Sequence, residues 1–204
     1  MAEVKAPNVL EKPGDYTLKE IVLVNSIGEK FDIKPFVLEL NIYENIYQHT
    51  MIGNLVMTDI GNLVNLVPLQ GNERLYFKVQ TPGATGQSEM IDMSDESGHA
   101  FIVTRLSDRK EISDRAHSYI LHFGTKEHIR NLRTRVSQAY DGPLEHGVLS
   151  MIHDEAYLNS QKQVFFEPTR NQDKIVIGNK RPFAAIDMIC SKALSQNGKA
   201  AGYF

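Results

Sequence analysis

The chain has 204 residues, 42% hydrophobic and 23% charged, with a formal net charge of -3. Those values fit one large or two small globular domains and exclude a global basic field of the kind that recruits nucleic acid. A lone cysteine, Cys190, excludes an internal disulfide framework and a cysteine-based zinc site, and Trp is absent.

Residues 1–15 carry Pro7, Pro13 and Gly14 among scattered charges and read as an extended arm. They lack the apolar core of a signal peptide, and no run of about 18 apolar residues follows anywhere. The expected setting is a reducing cytoplasm. Thr17 to Asn25 alternates as a strand, Asn25-Ser26-Ile27-Gly28 is a turn, and Glu29 to Ile33 returns.

The longest alternating stretch is Phe36 to Asp59, FVLELNIYENIYQHTMIGNLVMTD. Pro35 opens it, where a missing N–H is tolerated. Phe36, Leu38, Leu40 and Ile42 share one face, with Leu38, Leu40 and Ile42 expected in the core. Beyond a connector from Glu44 to Met51, Ile52, Asn54, Val56 and Thr58 oppose Gly53, Leu55, Met57 and Asp59. Asn41, Tyr43 and Asn54 are expected to look outward, toward a lumen or a neighbour.

Asp59 is placed to cap a short helix from Ile60 to Val67, ended by Pro68. Arg74 to Gln80 follows as a strand with Leu75, Phe77 and Val79 inward. Thr81 to Gly98 reads as a loop or hairpin tip, and Ala100 to Leu106 and Ala116 to Phe123 as two more strands. Many strands with one short helix before residue 124 predict an antiparallel β-barrel or sandwich over 16–124.

The pattern then changes to α+β. Helices are expected from Lys126 to Thr134, from Pro143 onward (Leu144, Val148, Met151, Ile152, Tyr157) and from Pro182. The last carries Phe183, Ile186, Ile189, Cys190, Ala193 and Leu194, and Asn197-Gly198 ends it. Val136 to Tyr140 is a short strand, and Gln163 to Pro168 with Lys174 to Ile177 reads as a hairpin across Thr169 to Asp173. Ala200 to Phe204 starts a strand with no partner left. It predicts a longer polypeptide or pairing with another chain, so the 125–204 domain is expected to be incomplete.

No residue pattern specifies catalysis. His117 and His122 lie five apart on a strand and point to opposite faces; His146 and His153 lie two helical turns apart with no HExxH between them. A metal-dependent hydrolase using His146, His153 and Asp154 is the weaker reading. Asp92, Asp95 and Glu96 lack EF-hand spacing, and no Ser–His pair sits in a nucleophile elbow. Cys190 falls on an apolar helix face, as a small core residue does. Arg105 to Arg135 holds eight Lys/Arg against four acids, among them Arg130, Arg133 and Arg135. A nucleic-acid-binding module is the alternative built on that region; with few exposed aromatics interleaved for base stacking, a solvated face or inter-subunit ion pairs is the better reading. No phosphate cradle and no cofactor motif are present.

The run IVLVNSIGEKFDIKPFVLELNIYENIYQHTMIGNLVMTDIGNLVNLVPLQGNERLYF resembles the N-terminal region of baseplate hub proteins of contractile-tailed bacteriophages, of the T-even hub type. IRNLRTRVSQAYDGPLEHGVLSMIHDEAYL and IVIGNKRPFAAIDMICSKALS are similar to later parts of that family, in the same order. The resemblance implies a tail-tube-like β-barrel followed by a smaller α+β domain, and a structural, non-enzymatic subunit of the virion tail. It further implies a trimeric ring joining the tail tube, or a tube-initiator protein, to the central spike, with baseplate wedge proteins as further neighbours. Family members carry two tube-like domains per chain, and only one is visible here. Related readings are a tail-tube or distal-tail subunit, or a type VI secretion spike-like subunit. The interface is expected to use Asn41, Tyr43, Asn45, Tyr47, Asn54, Arg130 and Arg133, with no sequence-specific nucleic acid and no membrane.

Overall fold

The computed structural model describes residues 16–61, 63–67, 69–82, 88–94, 99–113 and 116–196. The expected N-terminal arm, Pro68, Asp95, Glu96 and the stretch from Asn197 to Phe204 lie outside the described residues. The chain divides into two compact units, one of residues 1–41 and 53–123, the other of 42–52 and 124–204.

The first unit is mainly one antiparallel sheet. Its strands are β1 (Thr17–Val24), β2 (Lys30–Asp32), β3 (Val37–Tyr43), β4 (Ile52–Asp59), β5 (Arg74–Pro82), β6 (Ser88–Met93), β7 (Phe101–Ser113) and β8 (Ala116–Thr125). They lie in the order β2-β1-β5-β7-β8-β4-β3, with β6 branching from β5. One side of β5 runs along β1, pairing Ile21 with Phe77 and Leu23 with Leu75. The other side is shared. Arg74 and Leu75 pair with β7, and Phe77 to Pro82 pair with β6.

The period of two puts one face of each central strand inside. Ile21, Leu23, Leu55, Met57, Leu75, Phe77, Phe101, Val103, Tyr119, Leu121 and Phe123 are all buried. Three rings anchor this core. Phe77 stacks on Phe101 at 5.3 Å between centroids, and Phe101 meets Phe123 edge-on at 5.0 Å, the arrangements that a ring quadrupole favours. Gly53 makes room for them. A Cβ there would stand 2.4 Å from both the Asn41 carbonyl oxygen and the Phe123 ring.

Polar side chains shape the turns. The Asn25 side-chain oxygen accepts from the backbone N–H of Ile27 and Glu29, at 3.2 and 2.8 Å, and fixes the β1–β2 turn. Asp59, buried, caps α1 (Leu63–Leu66) by accepting from the N–H of Leu63 at 2.9 Å and Val64 at 3.3 Å. Burial, then the adjacent Asp59 carboxylate, pushes the Tyr119 phenol well above its ordinary value. Glu73, fully buried, accepts from the N–H of Gln70 and Gly71 at 2.6 and 2.9 Å, and Gly71 has a φ of +86°.

Four expectations are corrected here. Phe36 belongs to a single 3-10 turn, Lys34–Phe36, because Pro35 fixes a turn before the strand can begin. Leu38 is 62% exposed and no residue of β3 is buried, because β3 is the last strand of the ladder and hangs at its edge. The stretch from Thr81 to Gly98 contains β6, a strand whose polar composition disguised it. Among the described residues the ladder ends at β2 and β3, so the hydrogen-bonded order is open rather than a closed barrel.

The second unit pairs β9 (Val136–Pro143) with β10 (Gln172–Lys180) and packs helices against them. These are α3 (Leu144–His153) and α4 (Pro182–Cys190), while α2 (Lys126–Arg133) precedes β9 and buries no residue. Val136, Ile175 and Ile177 from the strands meet Leu144, Met151, Ile186, Ile189 and Cys190 from the helices in one core. On α3, Gly147 admits α4. A Cβ would lie 3.1 Å from Ile189 Cδ1 and 3.4 Å from the Tyr140 ring. Pro143 caps α3 instead of opening it, and Tyr157 lies beyond its end. The expected hairpin is not formed. Lys174 to Ile177 pair with β9, whose Asp141, Tyr140, Ala139 and Gln138 face them in register, and residues 161–168 form no strand. α4 stops at Cys190 and leaves Leu194 40% exposed.

Candidate interaction surface

In the first unit, the outward positions of β3 and β4 meet in a polar pair. Asn41 donates its side-chain N–H to Asn54 Oδ1 at 2.9 Å. The pair fixes the register of the edge strand against β4. On the same edge strand Leu38, whose position falls on the opposite face from Asn41, is 62% exposed.

In the second unit, residues 44–51 form a turn that presents Ile46, 74% exposed, and Tyr47, 72% exposed, with Tyr43 half exposed beside it. Asn45 is its organiser. Its side-chain oxygen accepts from Tyr47 N–H at 2.9 Å, and its carbonyl accepts from Gln48 N–H at 3.0 Å. Four contacts anchor the base of the turn. The His49 ring stacks on Phe183 at 4.8 Å and bonds to Asp187 at 2.8 Å. Thr125 N–H donates to the Met51 carbonyl at 3.2 Å, and Thr50 meets His128 at 3.3 Å.

Arg130 is engaged within its own unit. Its Nε donates to the Tyr157 carbonyl at 2.7 Å and a terminal N–H donates to the Glu155 carbonyl. It therefore holds the segment after α3, while Arg133 is exposed in the last turn of α2, where a cation suits the helix dipole. The basic stretch is split between the units. Arg105, Arg109 and Lys110 lie on β7, and Arg105 contacts His122 at 3.1 Å. Burial, then the Arg105 guanidinium, holds His122 below its ordinary pKa, against Asp108. His153 is bonded to the Ser160 carbonyl at 3.0 Å and His146 is exposed. Among the described residues no three His, Cys, Asp or Glu side chains gather as a metal site. No described helix is long and apolar enough to cross a membrane.

One feature of the second unit had no forewarning. A groove of about 440 Å³ runs between α3, α4 and residues 161–168. Val148 and Ile152 of α3 and Phe183 and Ile186 of α4 line it, with Phe165 and Phe166 alongside. Phe165 is 84% exposed. Both ends of the 161–168 segment are held by glutamates. Glu127 accepts from Ser160 Oγ at 2.7 Å and from Lys162 Nζ at 3.1 Å. Glu145 accepts from the Thr169 hydroxyl and from Thr169 N–H at 3.2 Å. Burial alone would raise the Glu127 carboxyl, but the Lys162 ammonium and the Ser160 hydrogen bond outweigh it and hold the carboxyl below its ordinary value. At Glu145, burial is likewise outweighed by the Thr169 hydrogen bonds. The consecutive phenylalanines were the sequence signal. They were read as strand because Val164-Phe165-Phe166 has β composition.

No protein-family model and no curated protein matches the chain. Solved structures do. A 43 kDa tail protein of a prophage from Shewanella oneidensis aligns over 87% of this chain and 48% of its own, with a TM-score of 0.53 and 11% identity. The fold is similar to that of a phage tail protein. A component of the type VI secretion system of E. coli, itself described as similar to T4 bacteriophage tail proteins, aligns over 87% of this chain and 43% of its own, with a TM-score of 0.40 and 9% identity. The chain thus spans less than half the length of either structure. At 11% identity the fold is what this chain shares with the prophage tail protein.

Proposed function

We propose that this chain is a structural, non-catalytic subunit of a phage tail baseplate hub. It joins the tail tube, or a tube-initiator protein, to the central spike as a trimeric ring in the virion tail, with wedge proteins around it. The observation that carries this reading is the fold likeness to a phage tail protein over 87% of the chain, which agrees with the ordered sequence resemblance. The first unit, an open antiparallel sheet with one buried face, takes the part of the tube-like domain, and residues 125–204 the part of the α+β domain. Exposed apolar groups on an edge strand and a turn are what a ring-forming subunit requires, since closure buries them and removes the free edge. Asn41, Tyr43, Asn45, Tyr47, Asn54 and Arg133 are the proposed contact residues. Arg130 supports the second unit from within.

Light scattering of the full chain over a concentration series, followed by mixing with purified tail-tube and spike proteins, tests the proposal. The expected result is a trimer that co-elutes with both. A persistent monomer that binds neither protein would overturn it.

A further inference from the structure

The groove of the second unit is apolar along its floor, yet its charged lining is mainly negative. Glu127, Glu145 and Glu167 face it against a single ammonium, Lys162. The Glu127 and Glu145 carboxyls are held ionised by their hydrogen bonds and by Lys162, so neither is a proton donor at neutral pH. They therefore stand as fixed negative charge on the groove. Phe165 stands at the rim with most of its ring in water. Aromatic side chains left in this position, beside an apolar trough of ligand size, are typical anchors of a binding surface. The trough is built from α3, α4 and a segment whose two ends are tied by hydrogen bonds, so its walls are already formed.

We infer that this groove receives a short segment of a partner protein, with an apolar anchor seated between α3 and α4 and flanking Lys or Arg residues against the glutamate rim. The charge complementarity selects this occupant. With Glu127 already paired to Lys162, the excess negative charge is that of Glu145 and Glu167; an acidic-flanked segment would be repelled by it, and an uncharged one would gain nothing from it. Docking here rests on the assembly role proposed above and names the surface through which a neighbouring tail component is held.

The test uses the full chain, isotope-labelled, and a synthetic probe peptide with a central Leu-Phe-Leu flanked by paired lysines. Two controls carry paired glutamates in the flanks, or serines in the centre. Amide and methyl shifts on titration locate the site. The expected result is saturable binding with shifts at Val148, Ile152 and Phe183. It should weaken about tenfold or more for the glutamate-flanked peptide and decline with added salt. Phe165→Ser, at an exposed position, should weaken the lysine-flanked peptide several-fold with the remaining spectrum unchanged. Equal affinity for both flanks, shifts clustered elsewhere, or no shifts with any peptide would each overturn the inference. The two proposals fail separately. A chain that joins tube and spike but ignores the peptide keeps its assembly role and loses this site. A chain that binds the peptide but joins neither keeps the site and loses the role.

Discussion

Replacing Gly53 with alanine should strike the core of the first unit at one point. The added Cβ would lie 2.4 Å from the Asn41 carbonyl oxygen and 2.4 Å from Phe123 Cζ. Ordinary contact at a Cβ begins about 1 Å farther out, so both neighbours must retreat. The oxygen belongs to the backbone of β3 and can withdraw only by moving the strand. The ring is packed against Phe77 and Phe101 and has little room. Overpacking of this kind costs about 1–3 kcal/mol, and two simultaneous overlaps place Gly53→Ala near ~3 kcal/mol. For a chain of this size that corresponds to a fall in Tm of about 6–12 °C. Urea unfolding followed by near-ultraviolet circular dichroism gives the free energy, and a melt gives the shift. Phe123→Leu in the same chain should recover part of the loss and leave the carbonyl overlap, a coupling that a double-mutant cycle measures. A Gly53→Ala variant within about 0.5 kcal/mol of the parent would refute the close approach of β3, β4 and Phe123.

Asp59→Ala removes both side-chain acceptors from the start of α1 and should cost about 1–2 kcal/mol in urea unfolding, with Asp59→Asn closer to the parent. Glu73→Ala leaves the N–H groups of Gln70 and Gly71 without their carboxylate and should cost about 2–3 kcal/mol, read from the shift in denaturant midpoint at constant slope. Glu127 and Glu145 titrate below their ordinary value when folded and near it when unfolded. Their contribution is therefore complete above the ordinary value and is lost as pH falls below it, through the folded one. Melts across that range should show a steeper decline for the parent than for Glu127→Gln with Glu145→Gln; parallel profiles would sink this linkage. Phe165→Ser should leave Tm within about 1 °C of the parent, since an exposed ring contributes little to folding.

Where one face of a strand is buried, its sequence announced it. Ile21 and Leu23, then Leu75, Phe77 and Val79, then Tyr119, Leu121 and Phe123 alternate and are inside. Asp59 was recognisable as a cap because an acid preceded an apolar run. β3 misled because Val37, Leu38, Leu40 and Ile42 are apolar on both faces, and composition does not say which strand lies at the edge. β6 was hidden by Ser88, Glu89 and Asp92, which follow from pairing on one side only. β10 was matched to the nearest β-like segment, when its partner is β9, some thirty residues earlier. That choice is made by the helices that pack on Ile175 and Ile177, a tertiary effect beyond any local window. The groove was illegible for the same reason. Its walls come from α3, α4 and residues 161–168, and no spacing within one segment encodes a concavity shared by three.

The branch at β5 has a practical meaning. Among the described residues β6 is joined to the sheet through β5, while β7 continues the ladder from the first two residues of that strand. β5 itself is paired along its length with β1, so β6 is the outer arm of that hairpin and β5 the arm built into the sheet. A compact tag spliced between β5 and β6 leaves the β1–β5 pairing in place and would test the proposed tail location in images of whole particles.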